Sequence, residues 1–426
     1  MGERGRDMFE LARELYPICR SITGDGVRET LRIVGARLPA PLAVTEVASG
    51  TPVLDWTVPD EWNIRDAWIA DASGRRVVDF RRSSLHVVSY SVPVRARMTL
   101  GELRPHLHAL PDRPDWVPYR TSYYERSWGF CLSQRQLDAL PDGEYDVAVD
   151  STLAPGHLTY GELVLPGATD AEVLVSTHVC HPSLANDNLS AIAVSVAVAR
   201  ALAARPRRHT FRFVYAPGTI GAITWLARNR EAAARVRHGL TLVCLGDAAP
   251  FTYKRTIDGD AEIDRAAAVA LRDAGAAHEV IDFFPYGYDE RQYNSPGFRL
   301  PVGSLMRGRH GRFPEYHTSA DDLSFIAPER LEESADAVLA VVDVLEGDSR
   351  YRNLAPEGEP QLGRRGLYRA MGGTDIPDLN LAMLWVLALS DGRHTLVDAA
   401  ERSRMSFRAL RAAADLLLAA GLIEEA

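Results

Sequence analysis

Apolar residues first recur at helical spacing and then change to the alternation of strands. Residues 8–20 and 26–38 show the helical spacing, which is lost from about residue 41. Short alternating segments follow at 54–58 and 86–92, with glycine-containing turns at 49–50 and 72–74. The pattern predicts two helices that begin a larger domain and then a small β-rich domain inserted into it.

Strand and helix patterns alternate after residue 144, in lengths typical of α/β proteins. Strands are predicted at 173–178, 210–216, 240–245 and 303–306, and helices at 189–204, 220–236 and 331–345. Such alternation predicts a mainly parallel sheet that is flanked by helices on both faces. We therefore predict an α/β catalytic domain of residues 1–40 and 136–350 that carries an inserted β-rich domain of residues 41–135.

The carboxyl-terminal part has a third pattern. A proline- and glycine-containing linker is predicted at 351–365, followed by helices at 379–389, 395–403 and 406–417 and a short apolar run at 421–423. Three helices and such a run predict a winged helix over residues 366–426. Its arginines could contact DNA; they are Arg402, Arg404, Arg408 and Arg411. Neighbouring acidic residues offset their charge, namely Glu401, Asp415, Glu424 and Glu425.

Composition narrows the class of protein. Of 426 residues, 46% are hydrophobic and 25% are charged, as in soluble globular proteins, and the net charge of -9 disfavours general binding to nucleic acid or anionic membranes. Four scattered cysteines indicate neither a disulfide framework nor a thiolate zinc site. No apolar leader and no membrane-length apolar run is present, so a cytoplasmic protein is expected; a homo-oligomer is left open.

One stretch, residues 176–191, combines a strand end with a helix start. His178 ends the predicted strand, and Asp187 comes just before the predicted helix. Ligands gather at such strand ends in α/β sheets, and imidazole and carboxylate groups together suit Zn²⁺. Spacing alone leaves a second interpretation open, in which His178 is an ordinary half-buried histidine and Asp187 only caps the helix.

This stretch, HVCHPSLANDNLS at 178–190, resembles the signature of bacterial aminopeptidase-like proteins that carry a C-terminal winged helix. That group is a branch of the co-catalytic zinc aminopeptidase superfamily. The resemblance covers nearly the whole chain. It implies a zinc-aminopeptidase-like sheet, one or two zinc ions, and a small-molecule or short-peptide substrate with a free amine.

Three further stretches continue the resemblance: LGD at 245–247, YDERQYNSPGF at 288–298 and EYHTSADD at 315–322. The resemblance implies that the metal ligands are His178, Asp187, Asp247 and His317. The predicted substrate-binding residues are Asp289, Arg291, Tyr293 and Tyr316, with Arg291 able to bind a carboxylate through two parallel hydrogen bonds. His181 and Glu290 are the predicted proton-transfer residues, and His181 could instead bind metal.

The chain departs from the family pattern at one catalytic position. Relatives read Pro-Glu-Thr-Ile-Gly-Ser after the second parallel strand, whereas this chain reads PGTIGA at 217–222, so Gly218 replaces the active-site glutamate. Glycine neither binds metal nor accepts a proton, and loss of a positioned base typically costs about 10²–10⁴ in rate.

Three functional hypotheses follow. The first is a metal-dependent aminopeptidase-like enzyme that acts on an amide or peptide bond of a small amine-bearing substrate. The second is a repurposed site that catalyses a non-hydrolytic step in specialised metabolism. The third is a non-enzymatic pseudo-peptidase that senses a ligand and uses its winged helix to bind DNA or a partner, although the acidic chain does not favour nucleic acid.

Overall fold

The computed structural model describes residues 2–367 and 378–426 and divides the chain into two compact units. The first unit contains residues up to 258 together with 281–336, and the second contains residues 259–280 and 337–426. Residues 368–377 of the predicted winged helix lie outside the described residues.

A large mixed sheet forms the centre of the first unit. From one edge its strands run in the order Ala43–Ala48, His157–Leu165, Thr210–Ala216, Glu172–His178, Val236–Leu242, Val302–Met306 and Phe251–Lys254. The four strands from Thr210–Ala216 to Val302–Met306 are mutually parallel, and the outer pairings are antiparallel. Every residue of Glu172–His178 is buried, as expected for a strand covered on both faces.

Helices of the first unit accompany this sheet. The longer ones are Glu3–Leu15, Asp25–Arg37, Ala191–Ala203 and Ile220–Arg228, and the shorter ones are Leu100–Leu103, Gln134–Asp138, Arg230–Arg235 and Glu290–Tyr293. The apolar sequence of Ala191–Ala203 explains its burial, because nine of its 13 residues are buried. The predicted α/β fold is therefore confirmed.

A second, fully antiparallel sheet lies in the same unit. Its strands are ordered Arg76–Asp79, Glu61–Ala70, Glu144–Ala154 and Val94–Thr99. Two-residue strands pair at Pro52–Val53 with Trp56–Thr57 and at Leu107–His108 with Phe130–Cys131. The exact boundaries of the inserted domain stay a prediction.

Several predicted elements differ from the observed ones. The first helix ends at Leu15 instead of residue 20. Tyr16 still has helical backbone angles and donates to the Ala12 carbonyl, but Pro17 has no backbone N–H with which to continue the helix. The helix predicted at 220–236 breaks at Asn229, whose side chain donates to the Trp225 carbonyl and whose backbone is not helical. The strand predicted at 86–92 is wrong. A 3₁₀ turn, Ser84–His86, ends at its first residue, and beyond it Val87 and Ser89 make isolated bridges instead of a strand.

An ion pair links three elements of the first unit. Arg28, on helix Asp25–Arg37, donates two hydrogen bonds of 2.8 and 2.7 Å to Glu61 at the start of its strand. The backbone N–H of His157 also donates to Glu61. The hydrogen bonds from Arg28 lower the pKa of Glu61 to about 2, although its partial burial acts in the opposite direction.

This pair predicts a loss of stability in acid. Because the folded-state pKa of Glu61 lies below its unfolded value, the stabilisation is present above about pH 4.5 and is lost as pH falls towards 2. With Arg28 partly exposed, we expect a contribution of about 2 kcal/mol. Urea denaturation of wild type and Glu61→Gln between pH 2.5 and 7 measures it. If Glu61→Gln lowered the unfolding free energy by the same amount at pH 2.5 and at pH 7, the stabilising role of the ionised Glu61 would be contradicted.

The second unit contains one long helix and a small three-stranded sheet. Its helices are Glu262–Asp273, Pro328–Gly347 (whose first residues belong to the first unit), Asp378–Leu389, Leu396–Ser403 and Phe407–Ala419. Its sheet is ordered Asp391–Thr395, Arg350–Asn353 and Ile423–Glu425, so the predicted linker begins inside a strand. The strand His278–Ile281 also falls mostly in this unit. Among the described residues no helix is long and apolar enough to cross a membrane.

Candidate metal centre

The site lies at the carboxyl ends of two neighbouring parallel strands. His178 is the last residue of Glu172–His178 and pairs in register with Ala216, the last residue of Thr210–Ala216. Gly218 follows Ala216 by two residues, so it lies beside His178. These strand ends are where open α/β sheets place their ligands.

Three donor groups converge here. The Nε2 atom of His178 lies 2.9 Å from Asp187 Oδ1 and 2.9 Å from His181 Nδ1, and His181 Nδ1 lies 3.6 Å from Asp187 Oδ1. Their donor atoms all lie within 4.8 Å of one another. Two imidazoles and a carboxylate at this separation match the nitrogen and oxygen ligands that zinc uses in proteins.

Electrostatics favour the protonation states that a metal requires. Burial raises the pKa of Asp187, but interactions with His181, His178 and His317 outweigh it and hold that pKa well below its usual value. Burial also lowers the pKa of His181 well below its usual value. An ionised carboxylate and a neutral imidazole are the forms that bind metal.

The two other predicted ligands differ in position. His317 joins the group, since its Nε2 atom lies 3.1 Å from Asp187 Oδ2. Asp247 is buried, and its carboxylate accepts hydrogen bonds from the Asn186 side chain at 2.7 Å and from the backbone N–H groups of Ala249 and Gly308. The structure thus brings His317 into direct contact with Asp187. Asp247 instead contacts Asn186, the residue before Asp187.

Buried polar side chains hold the loop that carries these groups. The Asp321 carboxylate accepts the backbone N–H groups of Asn186 at 2.6 Å and Asp187 at 3.0 Å, and burial raises the pKa of Asp321 to about 8. The Arg20 guanidinium donates to the His181 carbonyl at 3.0 Å. Arg20 and Asp321 are positioning residues that the sequence analysis did not single out.

Three tyrosines surround the histidines. Tyr288 stacks on His178 with ring centroids 4.4 Å apart and donates from its hydroxyl to Asp187 Oδ2 at 2.6 Å. Tyr316, a predicted substrate-binding residue, stacks on His317 at 3.9 Å, and its hydroxyl lies 2.7 Å from that of Tyr288. Tyr119, which lies between the strands Leu107–His108 and Phe130–Cys131 in the sequence, contacts the His181 and His317 rings edge-on.

The sequence did not single out Tyr288, and it left Tyr119 within an aromatic cluster, residues 116–128, that could be core or could border a substrate cleft. The position of Tyr288 directly before the DERQY segment was a usable signal, because it starts the stretch that carries the resemblance. Tyr119 gave none beyond its place in an aromatic-rich stretch, since aromatic clusters are usually core.

The DERQY segment, residues 289–293, contains both paired and unpaired buried side chains. Asp289 and Glu290 are fully buried, yet only Glu290 is paired, with Lys254 Nζ 2.8 Å from its Oε1. Neither oxygen of Asp289 has a hydrogen-bond partner, and the Nε atom of Arg291 also lacks one. Tyr293 is buried with its hydroxyl 2.9 Å from that of Ser176, a position that favours packing over substrate contact.

This sheet, with polar groups gathered at the carboxyl ends of its parallel strands, defines an α/β protein with a candidate ligand site at that edge. The chain belongs to the family described as "Domain of unknown function (DUF4910)", whose model matches residues 9–348. A "winged helix-turn-helix" model matches residues 349–425, which confirms the predicted carboxyl-terminal module.

Two individual proteins are similar to this chain over nearly its whole length. A protein of Clostridium acetobutylicum, named as a polysaccharide biosynthesis protein with an aminopeptidase-like domain, is 49% identical over 99% of this chain and 97% of its own length. A crystal structure from C. acetobutylicum, described as that of a peptidase, matches with a TM-score of 0.95 and 47% identity, covering 100% of this chain and 97% of that one.

More distant structures share the fold alone. The zinc aminopeptidase BSAP from Bacillus subtilis has a TM-score of 0.58 and 16% identity, over 80% of this chain and 93% of that chain. The predicted aminopeptidase-like architecture is therefore confirmed.

Proposed function

We propose that this protein is a metal-dependent enzyme that acts on an amide or peptide bond of a small amine-bearing substrate. The convergence of His178, His181 and Asp187 at the sheet's ligand-binding edge carries the proposal. His317 would complete the group around Asp187, and Asp247 remains the predicted further ligand of a one- or two-zinc site. When bound, zinc supplies Lewis acidity towards a carbonyl oxygen.

The chain's own residues have distinct parts in this proposal. Asp187 lies centrally, since His178, His317 and Tyr288 all contact its carboxylate. Tyr288 and Tyr316 place two hydroxyl groups beside it, and Arg291 has a nitrogen free for a substrate carboxylate.

Proton transfer is the weakest part of an ordinary peptidase mechanism here. Glu290 forms a buried ion pair with Lys254, which leaves His181 as the predicted proton acceptor at the site. The alternative role of His181 is that of a metal ligand. Without a glutamate at position 218, hydrolysis would run about 10²–10⁴ slower than with a positioned base.

A biosynthetic, non-hydrolytic reaction is the second candidate. The name of the C. acetobutylicum relative, which is 49% identical over nearly the whole chain, supports it. Gly218 supports it as well, because a site without its base suits a reaction other than water attack. We also propose a cytoplasmic location, which the four free cysteines support. The winged helix is proposed as a packing or partner surface.

Metal content tests the first candidate. We expect protein purified without chelator to hold about one or two zinc equivalents, and His178→Ala to lose them, because His178 Nε2 faces both other donors. Elemental analysis measures this, and an Arg126→Ala variant at an exposed position serves as the control. Absence of metal after zinc is supplied would overturn the proposal.

Isotope labelling separates the two candidates. Aminoacyl amides incubated with the zinc-loaded protein in H₂¹⁸O should give an acid product that carries ¹⁸O if the reaction is hydrolysis. A zinc-bound protein that yields no labelled acid would favour the biosynthetic candidate.

A further inference from the structure

A cavity of about 330 Å³ lies between the start of helix Asp25–Arg37 and the strands Glu61–Ala70 and Glu144–Ala154 of the second sheet. All of its described lining residues belong to the first unit, and they are distinct from the residues of the candidate metal centre. Its volume is within the range of small-molecule binding sites and can hold a ligand of the size of a monosaccharide. We call it the helix–sheet cavity.

The carboxylates that line this cavity are not lone charges. Arg65 donates two hydrogen bonds, of 3.0 and 2.6 Å, to the Asp150 carboxylate. The second carboxylate, Asp25, accepts a hydrogen bond of 2.9 Å from Arg28. A carboxylate with such a partner still has lone pairs for further donors, because its two oxygens offer about four acceptor sites. The cavity therefore favours a neutral ligand that carries hydrogen-bond donors.

Neutral side chains supply the rest of the lining. Thr152 is exposed, and its hydroxyl group can both donate and accept, while the Asn63 amide and the Ser151 hydroxyl add further polar atoms. Ile64 adds apolar surface. Burial raises the pKa of the Cys19 thiol to about 12, so Cys19 also presents a neutral surface. Mixed donors and acceptors beside a small apolar surface suit a molecule with several hydroxyl groups and exposed C–H groups.

We propose that the helix–sheet cavity is a binding site for a neutral saccharide. Hydroxyl groups of the sugar donate to the free lone pairs of Asp25 and Asp150 and exchange hydrogen bonds with Thr152. The C–H groups of the sugar ring pack on Ile64. This site goes beyond the proposed function, because it uses none of the proposed metal ligands and exists whichever reaction the metal centre catalyses.

Saturation-transfer NMR with zinc-loaded full-length protein measures this binding. The neutral probes are D-glucose and N-acetyl-D-glucosamine, and their charged counterparts are D-glucose 6-phosphate and D-glucosamine. We expect at least one neutral sugar to bind in the millimolar range and more tightly than its charged counterpart. Thr152→Val should weaken that binding about 3–10-fold, because one hydroxyl partner is lost. Thr152→Trp should abolish it, because the indole ring fills the cavity.

The matched controls are Thr57→Val and Thr57→Trp, which change an exposed strand threonine outside the cavity lining and should leave sugar binding unchanged. Wild type that binds neither neutral sugar would overturn the proposal, even if Thr152→Trp failed to fold. Equal sugar affinity in wild type and a folded Thr152→Trp would place the sugar elsewhere and overturn it too. Tighter, Thr152-dependent binding of a charged counterpart would overturn the assignment to a neutral ligand.

The variant His178→Ala separates this inference from the proposed function. Because the cavity contains no proposed metal ligand, the zinc-free variant should bind the neutral sugar as wild type does. That result would keep the inference even if the wild-type protein itself held no zinc. Sugar binding that disappears in His178→Ala but persists in Thr152→Trp would place the sugar at the metal centre and overturn the inference.

Discussion

Lys254→Met is expected to destabilise the protein by about 3–5 kcal/mol, because it leaves the Glu290 charge buried without its partner. Both side chains are essentially unexposed, and Lys254 Nζ also donates to the Tyr286 carbonyl at 2.9 Å. The ammonium group lies over the rings of Phe283 and Phe284, at 5.0 and 4.4 Å. Urea denaturation of the variant and wild type measures the loss.

The double variant Lys254→Met/Glu290→Gln is the matched control. Removing both charges avoids a lone buried carboxylate, so the double variant should recover much of the loss. A double variant as unstable as the single one would show that Lys254 acts through packing alone. Lys254→Arg is also expected to destabilise, since a planar guanidinium does not replace a compact ammonium between two rings.

Lys254 is the single lysine among the 48 basic residues of the sequence. It is buried, its ammonium group contacts the Glu290 carboxylate, and it lies over two aromatic rings. The sequence could not show this, since Lys254 and Glu290 are 36 positions apart.

The fold was predictable because apolar periodicity directly reflects burial. The strands at Glu172–His178 and Thr210–Ala216 are rich in buried apolar residues, and they were predicted within one residue. Errors arose where a local polar interaction ended an element, as at Asn229, or where apolar residues were buried without regular backbone, as after His86. Periodicity reports which residues are buried and not the hydrogen bonds that their backbone makes.

The candidate site was predictable only in part. Residues near a strand end, such as His178 and Asp187, could be expected together, and the resemblance added His317. The unpaired state of Asp289 could not be predicted, because it depends on which donors three-dimensional packing brings near. The closeness of Gly218 to Asp289 could not be predicted for the same reason, since 71 positions of sequence separate the two.

A graded loss of zinc affinity is expected when Asp187 and its neighbour Tyr288 are changed in turn. Asp187→Asn should reduce the affinity by more than about 100-fold, because it removes the central ligand. Tyr288→Phe should reduce it about 10–100-fold, the usual effect of losing an outer partner that orients a ligand. The Tyr288 hydroxyl donates to Asp187 and its ring stacks on His178, so one side chain orients two proposed ligands.

Competition with a chromophoric chelator measures these affinities. Tyr286→Phe is the matched control, because it removes the same hydroxyl from an exposed tyrosine two residues away and should leave the affinity unchanged. Equal losses in Asp187→Asn and Tyr288→Phe would show that the phenol acts as a ligand in its own right. Unchanged affinity in Tyr288→Phe would mean that Asp187 is oriented by the histidines and by Asp321, which holds the Asp187 backbone N–H.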